Sequence, residues 1–171
     1  MWNKENKLLF LEETLDDYYE VENLLNLVFT PQRHRLSSYY FRQKVCKIGK
    51  LCKVIKNDYG NIIGSIRYWP VYLGNERLKC LLLGPLAVHP TCQGEGIGAI
   101  LVINTLSLAE KTGWERVILV GDEEYYSRFG FDRDLTNNII FPNPVNKERV
   151  LGRELRIGAF KSIKGPVFRF E

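Results

Sequence analysis

Apolar residues recur at strand and helix spacing along almost the whole chain. Lys7 to Leu11 is a short apolar run suited to an opening strand. Thr14, followed three places later by Asp17, is placed to cap a helix whose apolar positions Val21, Leu24, Leu25 and Val28 keep helical spacing; Pro31 ends that region. Leu36 to Ile48 reads as a second, less regular helix with Gly49 as its stop. The pattern then turns to strands: Leu51 to Lys56 and Ile62 to Trp69 flank the turn residues Asn57 to Asn61 as a hairpin. Pro70 marks an edge or a bulge near the end of the second strand. A turn at Gly74-Asn75 leads into Arg77 to Val88, completing an antiparallel meander whose last strand is broken at Gly84-Pro85.

Beyond the meander the period changes. The run from Ala99 to Lys111 is helical, with Ile97, Ile100, Leu101, Leu108 and Ala109 on one face and Gly113 as the stop. Arg116 to Val120 is apolar without alternation, as expected of a strand covered on both faces and joined to a parallel neighbour by a right-handed crossover. Glu123 to Phe129 reads as a short helix, and Asp132 to Gly152 as loop. Val150 to Phe160 and Pro166 to Phe170 can supply closing strands. Together these elements predict an α/β (α+β) domain with a mixed central sheet, antiparallel at its N-terminal side and flanked by helices.

The strand ending at Val88 and the helix opening near Ala99 are joined by Gln93-Gly94-Glu95-Gly96-Ile97-Gly98. Three glycines in five residues allow positive φ, so successive N–H groups can converge on an anion, and the helix N-terminus adds orphan donors. No Gly-Lys-Ser or Gly-Lys-Thr follows, so the turn suits holding a phosphorylated molecule rather than cleaving it.

Length and composition narrow the class. The 171 residues fit one domain, 1–171, and 45% apolar with 12% aromatic content is that of an ordinary globular protein. Met1 to Lys7 lacks the continuous apolar core of a signal peptide, and no run approaches a bilayer span, so a cytoplasmic protein with no membrane partner is expected. Cys46, Cys52, Cys80 and Cys92 contain no Cys-x-x-Cys pair; no metal site is expected, and Cys92 alone is expected to be accessible, without a catalytic role. The net charge of +4 is unevenly spread. Pro31 to Lys50 carries Arg33, Arg35, Arg42, Lys44, Lys47 and Lys50 without an acidic residue, while Glu12 to Glu22 is rich in carboxylates. Such a stretch can guide phosphates or an acidic partner, though for any one residue a solvated face is the simpler reading. Nucleic acid is not the expected partner, since Tyr39, Tyr40 and Phe41 serve as readily in a core as in a stacking platform.

The glycine-rich turn and the later segment Asp122 to Phe131 together resemble the GNAT superfamily of acetyl-CoA-dependent N-acetyltransferases. The family's Gln/Arg-x-x-Gly-x-Gly/Ala pattern stands here as Gln93, Gly96 and Gly98, and its tyrosine ahead of Gly-Phe as Tyr126, Gly130 and Phe131. The resemblance runs from about Leu51 to the C-terminus and is strongest from Leu83 to Phe131. Glu154 to Phe160, Gly165 to Val167 and Phe170 are similar to the tail of one bacterial subgroup whose acceptor is poorly defined. It implies a strand splayed by a bulge from its parallel neighbour, with the pantetheine arm in the opening. Acetyl-CoA would lay its pyrophosphate against the N–H groups of Gln93, Gly94, Glu95, Gly96, Ile97 and Gly98, with the Glu95 side chain turned away. Backbone N–H groups around Leu86, Ala87 and Val88 would orient the acetyl carbonyl, and Tyr126 would assist departure of the CoA thiolate. Tyr125, with its hydroxyl elsewhere, would be the internal control. The acceptor would be a small-molecule or peptide amine entering beside the basic stretch, and a homodimer is left open.

Two other readings compete. Gly94, Gly96 and Ala99 also satisfy a dinucleotide fingerprint, but His89 to Gln93 separate it from the strand and too little chain follows Asp122. A non-catalytic acyl-CoA-binding sensor would keep the turn and lack transfer. The general base is not legible: Asp122, Glu123, Glu124 and His89 all lie near the motifs, and a water chain serves as well.

Overall fold

A computed structural model describes residues 7–171, so the expectation for the first six residues lies outside the described region. The elements are β1 (Leu9–Glu12), α1 (Tyr18–Phe29), α2 (Ser37–Tyr40), β2 (Lys53–Lys56), β3 (Ile62–Leu73), β4 (Leu78–Val88), α3 (Ile97–Lys111), β5 (Arg116–Val120), α4 (Glu123–Tyr126), β6 (Ile139–Ile140), β7 (Val150–Glu154) and β8 (Gly165–Arg169). The main sheet runs β1-β2-β3-β4-β5-β7, with β8 added to the far end of β3 and β6 beside β8. β1 to β4 are antiparallel, β4 and β5 are parallel, and β7 returns antiparallel to β5. This is the mixed sheet expected from the sequence.

Alternation along the strands sends side chains to two faces. Ile55, Ile63, Leu81, Leu83, Val117 and Leu119 face the cluster under α3 and α4. Their neighbours Cys80, Leu82 and Ile118 face a second cluster with Phe41, Phe141 and Phe160, while Val54 and Ile62 face α1. β5 is therefore covered on both sides, which is why its sequence shows no alternation.

The strand break falls where Gly84-Pro85 predicts it. Tyr68 pairs with Leu83 and Ile66 with Leu86, so two residues, Gly84 and Pro85, oppose the single residue Arg67. The parallel pairing of β4 with β5 is confined to Leu81 and Leu82, just before the bulge, and the two strands separate beyond it. Pro70 lies within β3, not at its end. It sits between the β2 pairing, which stops at Ile66, and the β8 pairing, which begins at Val71, where that side of the strand has no ladder partner.

Four local expectations change. The helix expected over Leu36 to Ile48 is reduced to the four residues of α2 after a 3-10 turn at Pro31–Arg35. Lys44 adopts φ 58°, and Ile48 N–H donates to Tyr68 O at 2.9 Å, so the chain there follows β3 instead. That surface path makes Cys46 the exposed thiol, with Cys92 only half-buried. At α1 the cap is inverted: Asp17 precedes the helix and its carboxylate accepts from Thr14 N–H at 2.8 Å and Thr14 Oγ1 at 2.9 Å. The strand expected over Val150 to Phe160 stops at Glu154, whose carboxylate accepts from the N–H groups of Gly158 and Phe160, both at 2.9 Å, and folds the chain into turns.

Buried charge ties α1 to the sheet. Arg67 on β3 donates to both oxygens of Glu13 and to Glu22, while Lys47 reaches Glu13 and Arg33 reaches Glu22. Burial alone would raise the Glu13 pKa; the hydrogen bonds and charges of Arg67 and Lys47 outweigh it and hold the carboxyl below its ordinary range.

Candidate active site

The separated strands open a cavity of about 390 Å³. Leu82 to Leu86 of β4 form one wall, Val120, Gly121, Asp122, Tyr125 and Tyr126 the opposite one, and Phe29, Arg33, Leu36, Ser38, Tyr39 and Arg42 its roof. Leu86 and Tyr126, chosen from separate motifs, thus face one space. Asp122 alone among the four candidate bases lines it. His89 instead turns to Thr91, with Nδ1 2.8 Å from its hydroxyl.

Strand geometry decides which amides of β4 face the opening. His89 N–H donates to Ile63 O at 2.8 Å, so alternation points Ala87 toward β3 and Leu86 and Val88 away from it. The Val88 carbonyl, on the same side as its N–H, accepts from Gln93 Nε2 at 3.3 Å. The Ala87 side chain is buried with the α1 cluster.

The glycine-rich turn lies at the start of α3, outside that cavity. Gly94 and Gly96 have φ 85° and 82°, the left-handed conformation that glycine adopts freely, and Gly96 is the residue before the helix. Among the described residues, none of the N–H groups from Gln93 to Ala99 has a protein acceptor. They form a run of unpaired donors at a helix N-terminus, the arrangement that suits an anion. Glu95 is exposed and Ile97 buried against the sheet. Gly98 departs from expectation: it is helical, and what requires its small size is Tyr125, whose Oη would lie 2.5 Å from an added Cβ. The hydroxyl of Tyr125 therefore reaches the start of α3 while its residue lines the cavity, and Tyr125→Phe is not a silent control.

Tyr126 is held from several sides. Asp122 caps α4 by accepting from Glu124 N–H at 3.2 Å, and Gly130 closes the following turn at φ 79°. The Tyr126 ring meets Tyr125 and Phe131 edge-on at centroid distances of 4.9 and 5.7 Å. Its other face rests on Gly121, where an added Cβ would stand 2.5 Å from Tyr126 Cε2. Burial pushes the phenol pKa well above its ordinary value, with Tyr125 adding to the rise and Arg149 opposing it. The hydroxyl has no hydrogen-bond partner among the described residues and stays protonated. Gly121→Ala should displace the ring, lowering turnover severalfold at a stability cost of about 1–3 kcal/mol. Steady-state rates and a thermal melt on the same preparation check both; unchanged turnover would show that the ring position is not critical.

Among the described residues no group of three or more His, Cys, Asp or Glu could hold a metal, and no helix is long and apolar enough to cross a membrane. The dinucleotide reading fails on topology, because β7 returns antiparallel where a doubly wound sheet would add parallel strands.

Comparison with known proteins agrees with this geometry. The family model for the acetyltransferase (GNAT) family matches residues 18–131. An uncharacterized N-acetyltransferase of Escherichia coli, YhbS, is 35% identical over 79 residues, 46% of this chain and 47% of that protein, so the matched region spans about half the length of that relative. The crystal structure of Escherichia coli YhbS in complex with CoA superposes with TM-score 0.85 at 24% identity, covering 100% of this chain and 94% of the other. A GNAT acetyltransferase of Brucella melitensis in complex with acetyl-CoA gives TM-score 0.61 at 28% identity, covering 74% and 83%. The match over residues 18–131, on a sheet splayed at its parallel pair, places the chain in the GNAT family of acetyltransferases.

Proposed function

We propose that the chain, acting as one domain over 1–171, transfers the acetyl group of acetyl-CoA directly to an amine. The observation that carries this is the cavity at the strand separation, which brings Leu86 and Tyr126 to one space and lies beside the unpaired donors of Gln93 to Ala99. The YhbS and Brucella structures hold CoA and acetyl-CoA, which supports the same molecule here. The amides of Gln93 to Gly98 receive the pyrophosphate, and the opening between β4 and β5 takes the pantetheine arm.

The chemistry follows from the residues at the opening. The N–H groups of Leu86 and Val88 orient the thioester carbonyl and stabilise the charge that develops on its oxygen. The amine lone pair attacks the carbonyl carbon, the C–S bond breaks, and the amine proton leaves toward Asp122 or water. Tyr126 donates a hydrogen bond to the departing sulfur. No acyl-enzyme forms, and Cys92 takes no part. A cytoplasmic setting and a homodimer are compatible with this reading.

A non-catalytic sensor would show the same cradle. Thiol release from acetyl-CoA against an amine panel separates the two: release that depends on the amine is expected, and tight CoA binding with no amine-dependent release would favour the sensor. Radiolabelled acetyl trapped on Cys92 during turnover would overturn direct transfer.

A further inference from the structure

The charge network around the roof of the cavity does not balance. Four cations, Arg33, Arg42, Arg67 and Lys47, stand against two carboxylates, Glu13 and Glu22. Arg33, Arg67 and Lys47 are each bonded to one of these carboxylates or to both. Arg42 is bonded to neither. Its Nε and Nη1 are buried without a hydrogen-bond partner among the described residues, as is the hydroxyl of Tyr39 beside it. The guanidinium lies over the Tyr39 ring, 4.3 Å from the centroid. Nη2 lies 3.3 Å from where a Gly84 Cβ would stand, at the cavity wall.

A buried cation without an anion is costly, so an incoming anion that supplies the missing charge is favoured there. Burial pushes the Arg42 pKa down to about 10, with Tyr39 opposing the fall and Arg67 and Arg33 adding to it, so the group remains cationic at neutral pH. The other charged residues on the cavity wall are Arg33, Arg149 and Asp122. Arg33 is held by Glu22, and Arg149 Nε donates to Gly121 O at 3.2 Å. Arg149 is exposed, so Arg42 is the cation on this wall that has buried nitrogens and no carboxylate partner among the described residues, at the bulge that opens the strands. A guanidinium stacked on an aromatic ring still offers its edge to a planar carboxylate.

We propose that Arg42 is the anion anchor of the acceptor site, and that the acceptor is a small molecule carrying a carboxylate together with its amine, as in an amino acid. This rests on the acetyl-transfer reading of the cavity. A volume of about 390 Å³ suits a small molecule.

Two measurements test it, one with turnover and one without. In the first, thiol release from acetyl-CoA is followed with free amino acids, their carboxamides, the corresponding amines lacking the carboxyl group, and aminoalkylphosphonates. At least one free acid should exceed its own carboxamide tenfold or more in kcat/KM. Arg42→Met should raise KM for that acid about tenfold, leave the carboxamide and CoA affinity within twofold, and abolish the preference; Arg42→Lys should restore part of it. In the second, the CoA-saturated protein is titrated with N-acetylglycine or N-acetylglycinamide while the arginine Nε–H resonances are followed by NMR. The Arg42 resonance, assigned by its loss in Arg42→Lys, should move with the acid only. A moving resonance with no thiol release for any amine would retire acetyl transfer and leave the anion site standing. Equal rates for acids and carboxamides, a preference that survives Arg42→Met, phosphonates preferred over every carboxylate, or a stationary Arg42 resonance would overturn the proposal. Should Arg42→Met fail to fold, the acid-against-carboxamide comparison and the titration decide it on the unaltered protein.

Discussion

Gly96→Asp is expected to weaken acetyl-CoA binding by about 100-fold or more in a protein that still folds. Two effects act at this position. The backbone is left-handed at φ 82°, where a side chain costs roughly 1–2 kcal/mol, yet an added Cβ meets nothing within 4 Å, so the strain does not become a clash. The larger effect is charge. A carboxylate about 4 Å from a phosphate in partly screened surroundings is worth roughly 4 kcal/mol of repulsion, and each 1.4 kcal/mol is about tenfold in affinity. Gly96→Asn separates the two, because asparagine has nearly the same shape, tolerates the left-handed region and carries no charge. Titration calorimetry with CoA should show Asn close to the unaltered protein and Asp far weaker. Equal affinities for all three would move the pyrophosphate away from Gln93 to Gly98.

The same pair of substitutions shows how far one motif can be read. At Gly94 and Gly96 the sequence points to positive φ, and the structure has it. At Gly98 the same reasoning points to the same conformation, but the residue is helical and its smallness answers to Tyr125, almost thirty residues away in sequence. Local chemistry was legible because turns, caps and strand breaks are decided by neighbouring residues: the bulge at Gly84-Pro85, the stop at Gly113 and the two-sided burial of β5 all follow from short stretches. What was not legible depends on which distant group a side chain meets. Arg33 and Arg42 sit in one basic stretch and look alike in sequence, yet both turn inward, one to Glu22 and the other to no carboxylate at all. The inverted cap at Thr14 and Asp17 has the same origin, since the Asp17 carboxylate is also held by Lys56 at 2.7 Å from the neighbouring strand. Asp122 could not be singled out from Glu123 and Glu124 until the cavity wall was known.

Tyr126→Phe tests the leaving-group role. General acid assistance contributes about 10²- to 10⁴-fold, so removal of the hydroxyl should lower kcat at least tenfold where chemistry limits the rate, with CoA affinity nearly unchanged. A phenol near pKa ~10 facing a thiol near ~8.5 makes full proton transfer uphill by roughly 2 kcal/mol, and burial of Tyr126 raises the phenol further. Hydrogen-bond donation as negative charge grows on sulfur is therefore the form the proposed assistance would take. The shift also fixes the sign of the pH dependence. In the proposed role the active form is the protonated phenol, and a raised pKa keeps it protonated, so kcat should show no alkaline loss from Tyr126 up to about pH 9.5, above the ordinary thiol and below the ordinary phenol range. The comparison with Tyr125→Phe must be read through its different contact: its hydroxyl lies at the start of α3, so that variant should alter CoA affinity more than kcat. Packing does not confound the result, because phenylalanine keeps the edge-on contacts with Tyr125 and Phe131 and the seat on Gly121. Full kcat in Tyr126→Phe, measured in single-turnover reactions, would reduce Tyr126 to a wall of the cavity and leave solvent to protonate the thiolate.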